Sequence, residues 1–208
     1  MNLAVQEQDT RSASAGALQQ QTSKVLGNLF RNLDTGHRLN ILEVGRVQPE
    51  TVDFFSRFRC RIHVLDLYTE LSNGAFEDDS GAKTLQRTFQ EKFNFEPGLT
   101  LDICLLWDFP HYLDETRLRA FSRALWPWLS RSTRAHGFGV HSAATTLQNQ
   151  EYGIVDLQTI SARPRQILGV PRSPHPQSFM NEWLSCFSAG RGVLLADGKV
   201  ETMMLSKV

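Results

Sequence analysis

Two kinds of apolar pattern alternate along this chain. One is the near-continuous run, suited to a strand covered on both faces: Leu39–Val44, Arg61–Leu67 (RIHVLDL) and Leu101–Trp107 (LDICLLW). The other is the helical period. Leu118, Phe121, Leu125 and Leu129 recur on one face of a helix predicted from Leu113 to Leu129, with Asp114 as its N-cap. Leu18, Val25, Leu26, Leu29 and Phe30 show a similar spacing and predict an amphipathic helix over Ala15–Asn32, ended by Asp34-Thr35-Gly36. Pro49 opens a helix at its first turn, with Val52, Phe54, Phe55 and Phe58 on its buried side.

Other stretches are less decisive. Thr69–Phe76 reads as a short helix or turn, 77–83 (EDDSGAK) as an exposed loop, and Leu85–Phe95 fits a third strand or a helix. Ala135–His141 (AHGFGVH) reads as a short strand and Phe179–Phe187 as a short helix. Residues 145–178, with prolines at 164, 171, 174 and 176, carry no regular pattern. Asp197-Gly198 between Gly192–Leu195 and Val200–Leu205 is a hairpin signal. The order is therefore β-α units followed by a terminal hairpin, which predicts a mostly parallel sheet flanked by helices, with an antiparallel strand added at the end.

A chain of 208 residues suits one domain. Residues 1–14 are polar and aperiodic and read as a disordered tail, which leaves a single domain over 15–208. Lysine and arginine total 22, as do aspartate and glutamate, so no excess of charge favours nucleic acid, and self-repulsion against a homo-oligomer is small. No apolar stretch approaches the roughly 20 residues of a membrane span, and the N-terminus lacks the basic start and apolar core of a secretory signal. Cys60, Cys104 and Cys186 form no CxxC and read as buried thiols of a reducing, cytoplasmic setting.

In this order, the strand ILEVG, the strand end at Asp66, LDICLLWDFPHYLDETRLRAFSRALWPWLS, AHGFGV and the hairpin GVLLADGKVETMML resemble the class I S-adenosylmethionine-dependent methyltransferase family over roughly residues 20–208. The resemblance implies a doubly wound, Rossmann-like α/β fold with a seven-stranded sheet whose last strand is antiparallel. It implies S-adenosylmethionine as cofactor. It places Glu43 at the acid of the first motif and Gly45 at its first glycine. Asp66 stands at the ribose-binding acid, Glu91 near the adenine, and Trp107 with Asp108 near the methionine part and the substrate.

The sequence departs from the family at the turn. Val47 and Pro49 stand where two further glycines belong, and Arg46 adds a cation next to a cofactor that carries a sulfonium. A β-branched residue avoids positive φ, and proline fixes φ and removes a donor. Strain of roughly 1–3 kcal/mol at each position would weaken binding on the order of a hundredfold.

Residues 108–112 (DFPHY) resemble the Asp/Asn-Pro-Pro-Tyr loop of amino methyltransferases, with Phe109 at the first proline and His111 inserted before Tyr112. Asp108, His111 and Tyr112 are the candidate catalytic residues, His111 as a general base or as a surface loop histidine. Arg163, Arg165 and Arg172 among prolines suggest a basic lip or a solvated linker. Trp126 and Trp128 suggest packing or, if exposed, a docking patch. No histidine cluster has metal-ligand spacing.

Three functions remain open. One is a methyltransferase-fold pseudoenzyme with weakened or lost cofactor binding, working as a binding or regulatory partner. The second is an active methyltransferase with an atypical loop. The third is an interaction module that forms a homodimer or a hetero-complex. The partner is a protein or a small molecule that the sequence does not identify.

Overall fold

The computed structural model describes residues 18–31, 33, 36–76, 81–166 and 169–208, so the predicted tail over 1–14 lies outside the described residues. The first elements are β1 (Gln19–Thr22) and α1 (Leu26–Leu29), where one helix over 15–32 was predicted. The polar run QQQT has no apolar face to bury as a helix; as a strand it pairs antiparallel with Thr159–Ala162. The Ser23 hydroxyl accepts from the amides of Val25 and Leu26, at 3.2 and 3.0 Å, and starts α1 there. The Arg134 guanidinium closes it on the carbonyls of Asn28 and Leu29, both at 3.0 Å.

The β-α units follow as β2 (Leu39–Val44), α2 (Pro49–Phe55), β3 (Cys60–Leu65), α3 (Leu67–Ser72), α4 (Ala82–Lys92), β4 (Ile103–Trp107), α5 (Glu115–Leu125) and β5 (Arg134–Val140). Then come β6 (Gln150–Asp156), β7 (Thr159–Pro164), α6 (Gln177–Trp183), β8 (Phe187–Leu194) and β9 (Lys199–Ser206). Pro49 sits in the first turn of α2 as predicted. Asp114 caps α5, accepting from the Arg117 amide at 2.8 Å.

The main sheet has the order β3-β2-β4-β5-β9-β8. The first four strands are parallel, and β9 runs antiparallel to both of its neighbours. The terminal hairpin is longer than predicted and turns at Gly198, whose φ of 82° suits glycine.

There are six strands rather than the seven expected. The candidate for the seventh, Leu85–Phe95, is helical through Lys92. The reason is its period: Leu85 and Phe89 fall four apart and face the core, whereas a strand would have put Arg87 and Glu91 on that same face.

Both faces of the sheet are covered. Leu42, Val44, Cys104 and Leu106 pack with Phe89, Phe93, Leu118 and Phe121 on one side. Ile41, Ile103, Leu105 and Trp107 pack with Leu26, Leu29, Phe54, Phe55, Tyr152 and Ile154 on the other. The alternation along β2 and β4 divides these two sets.

Residues 145–178, expected to be irregular, supply β6 and β7, which with β1 form the second sheet, of order β1-β7-β6. Here Tyr152 and Ile154 on β6, and Ile160 and Ala162 on β7, point into the second core, a period-2 pattern hidden by the flanking prolines. Among the described residues no helix is long and apolar enough to cross a membrane.

Candidate functional site

Open α/β sheets bind ligands beyond the carboxyl ends of their strands. In this chain those ends carry Glu43, Asp66 and Trp107-Asp108. Glu43, the next-to-last residue of β2, is 1 % exposed and accepts from Trp107 Nε1 at 2.5 Å. Its other oxygen has no hydrogen-bond partner among the described residues. Trp107, at the end of β4, has φ of 51°, the one non-glycine residue with positive φ among the described residues. Such a conformation is strained by on the order of 1–3 kcal/mol and persists only where surroundings enforce it. The enforcing contacts are the bond to Glu43, the stack on Tyr152 (5.5 Å between centroids, 19° between planes) and the edge contact with His136 at 5.2 Å.

Gly45 follows with φ of 113°, and a Cβ there would meet the Tyr68 ring at 3.0 Å. Only glycine fits both demands. Beyond it the turn is fastened down. Gln48 donates to Glu151 Oε2 at 3.0 Å and to the Arg46 carbonyl at 3.2 Å. Thr51 Oγ1 accepts from the Ile154 amide at 2.9 Å, and Glu50 accepts from Ser161 and Arg163. These bonds join the start of α2 to the hairpin of β6 and β7. Gly153 permits the approach: a Cβ there would lie 2.8 Å from Ser161 Oγ and 2.9 Å from Gln48 Cβ.

Asp66 caps α3. It accepts from the Thr69 amide at 3.1 Å and the Thr69 hydroxyl at 2.6 Å, and Arg46 Nε lies 3.1 Å from its second oxygen. Asp108 is fully buried and accepts from the Tyr68 hydroxyl at 2.7 Å and from Arg165 Nη2 at 3.3 Å. The Arg165 guanidinium lies over the Tyr68 ring, its Cζ 3.4 Å from the ring centroid. Burial pushes the Asp108 carboxyl above the usual carboxylate range, and Arg165 and Tyr68 pull it back. The side chains of Arg165, Tyr68 and Tyr152 thus stand over Glu43, Gly45 and Asp66, and the space left among them is about 10 Å³. That is the volume of a single water at most.

The other predicted residues are placed as follows. His111 lies in the 3-10 turn Phe109–Tyr112 and is buried. Its Nε2 donates to the Phe138 carbonyl at 2.9 Å, and its Nδ1 accepts from the His175 amide at 3.0 Å. Burial lowers its pKa to about 4, so it is a neutral ring with both nitrogens engaged. The Tyr112 hydroxyl donates to Asn149 Oδ1 at 3.0 Å, and burial, then Asp108, raises its pKa to about 12. Glu91 lies on α4, exposed and paired with Arg87 at 3.2 Å, and does not line the crevice.

Trp126 is exposed but Trp128 packs edge-on to Phe95, so they form no exposed aromatic pair. Cys104 and Cys186 are buried free thiols, Cys186 pushed up to about 12 by burial, and Cys60 is half-buried. No group of three metal-ligating side chains occurs among the described residues.

Three residues that fill the crevice were not singled out as site residues from sequence. Arg165 was visible only as part of a basic segment. Tyr68 and Tyr152 carry no local signal; one is a single tyrosine in the first turn of α3 and the other a single tyrosine within β6.

Burial raises the Glu43 pKa well above the ordinary carboxylate value of 4.5, and the Trp107 bond only partly offsets this. A carboxyl with a higher pKa folded than unfolded favours folding at low pH, and that favour is lost as pH rises from the ordinary value through the raised one. Glu43→Gln keeps an acceptor for Trp107 and removes the charge. The variant should melt with wild type at pH 4 and above it at pH 8, as read by circular dichroism. A variant that melts lower at pH 8 would show that the charged form is stabilising.

No family model matches the chain, and no curated protein matches it. Among solved structures it is similar to an S-adenosylmethionine-dependent methyltransferase from Clostridium acetobutylicum ATCC 824, with TM-score 0.49 and 11% identity over 88% of this chain and 91% of that one. It is also similar to the mitomycin 7-O-methyltransferase MmcR, with TM-score 0.48 and 12% identity over 87% of this chain and 52% of that one. A third is the pyocyanin biosynthetic protein PhzM, with TM-score 0.46 and 14% identity over 88% and 54% of the two chains. The chain spans about half the length of the last two. Likeness at this level says nothing of cofactor or substrate. The class of the molecule rests on its own strand order, a Rossmann-like, mostly parallel sheet closed by an antiparallel hairpin.

Proposed function

We propose that this chain is a methyltransferase-fold protein that does not hold S-adenosylmethionine at the carboxyl ends of its strands and works by binding rather than by methyl transfer. One observation carries this reading. The crevice over Glu43 and Asp66 is filled by the chain's own Tyr68, Tyr152 and Arg165, with about 10 Å³ to spare, against the roughly 300 Å³ or more of a small-molecule site.

The chemistry of the donors agrees. Glu43 is bound to Trp107 and held toward its neutral form, so it offers little to ribose hydroxyls or a cation. Asp66 spends its oxygens on the cap of α3 and on Arg46. Arg165 lines this crevice, so a cationic sulfonium entering it would meet like charge. The residues present do not fit the cofactor.

Thermal denaturation tests this. A ligand at a hundred times its Kd stabilises by about 2.7 kcal/mol. Addition of S-adenosylhomocysteine or S-adenosylmethionine at about 1 mM should leave the melting temperature unchanged. A rise of several degrees with either would favour the active methyltransferase instead.

A further inference from the structure

Beside the filled crevice lies a second cavity of about 230 Å³, lined by Tyr68, Tyr112, Asn149, Arg165, Val170 and Arg172. It sits at the same end of the sheet, between α3, the 3-10 turn after β4 and the segments flanking the β6–β7 hairpin. Two of its lining residues are cations and none is an acid.

The two arginines are placed differently. Arg165 is 7 % exposed, and one of its terminal nitrogens, Nη1, is buried with no hydrogen-bond partner among the described residues. Its charge is shared with Asp108 on the far side. Arg172 donates to the carbonyl of Leu147, a neutral group, and forms no ion pair with a carboxylate among the described residues. Two guanidinium groups in one cavity without an acid among its lining residues, one of them with no carboxylate partner among the described residues, favour an incoming oxyanion. Around them the Tyr68 and Tyr112 rings, 5.1 Å apart and nearly perpendicular, offer apolar faces together with Val170.

We infer that this cavity binds a small organic anion, its carboxylate or phosphate head toward Arg172 and Arg165 and its flat or short apolar body against Tyr68, Tyr112 and Val170. The volume falls below the roughly 300–1,000 Å³ of drug-sized sites, which limits the ligand to a small molecule. This deepens the binding role proposed above and rests on it.

The test is isothermal titration of the full chain with benzoate, phenyl phosphate, inorganic phosphate and uncharged benzamide, with S-adenosylhomocysteine in parallel. Benzoate or phenyl phosphate should bind at least about tenfold more tightly than benzamide. Whichever of the two binds better assigns the head group. Arg172→Gln, whose side chain is exposed and whose loss leaves no buried charge, should weaken the better anion by roughly tenfold at an unchanged melting temperature. Val170→Trp, which fills the cavity, should abolish binding.

Equal affinity for benzamide and benzoate would overturn the inference, as would an Arg172→Gln variant that binds as wild type. So would the absence of binding by either organic anion at millimolar concentration. Inorganic phosphate bound as tightly as phenyl phosphate would remove the organic body from it. S-adenosylhomocysteine reads the crevice over Glu43 and the anions read this cavity, so failure of this inference and failure of the reading it rests on give different results.

Discussion

Arg165→Met should destabilise the protein by roughly 3–5 kcal/mol. Asp108 is fully buried, and among the described residues its side chain accepts from Tyr68 and Arg165. Removing the guanidinium leaves a carboxylate in a low-dielectric site, which is the expensive way to break a buried pair. Methionine fills much of the same volume, so the loss reports charge more than cavity. Two controls sharpen the result. Asp108→Asn in the Arg165→Met background should recover most of the loss, because no unpaired charge then remains. The single variant should also lose less at low pH, since burial already holds the Asp108 pKa above the usual range and protonation relieves it. Chemical denaturation of the four proteins of this cycle gives the numbers. A loss under about 1 kcal/mol would mean that the pair is open to solvent.

Tyr152→Ala is the second large effect, about 3–5 kcal/mol, the range for deleting a buried aromatic ring. The ring stacks on Trp107 and lies 4.8 Å from Phe138, between the β6–β7 hairpin and the end of β4. Its hydroxyl donates to Gln150 Oε1, at 3.2 Å, so Tyr152→Phe should cost about 0.5–1.5 kcal/mol. The contrast matters for function. A loose lid would lose little on either change; a hairpin packed as core loses much on the first and little on the second. The alanine variant should also gain no S-adenosylmethionine binding, because Arg165, Tyr68 and the Arg46–Pro49 turn remain in place.

Much of the fold could be read from the chain. The runs at Leu39–Val44 and Leu101–Trp107 are apolar on both faces, and that pattern has few outcomes besides a covered parallel strand. Pro49, Asp114 and Asp197-Gly198 each fix a local conformation by their own chemistry, and each acts where expected. The failures have physical causes too. At Leu85–Phe95 the pattern left a strand and a helix open, and the four-residue spacing of Leu85 and Phe89 decides for the helix. At Gln19–Thr22 nothing in the sequence reveals that β7 supplies a partner 140 residues later.

The site was legible by half. The strand-end acids and the damaged glycine turn could be located, and the fixing of Gln48 and Glu50 onto β6 and β7 gives that turn a structural reason. What could not be read was the cover. Tyr152 and Arg165 enter the crevice because a hairpin folds back over α2, a long-range fact with no local sequence signal. His111 likewise looked like a loop histidine or a base, and only its two hydrogen bonds reveal a buried strut.

Calorimetric titration of S-adenosylmethionine and S-adenosylhomocysteine into the wild-type chain tests the central claim most directly. The filled crevice predicts no saturable heat with either ligand up to about 1 mM, a free energy weaker than about −4 kcal/mol. Micromolar binding that disappears in Asp66→Asn would contradict it and return the carboxyl ends of β2 and β3 to a cofactor.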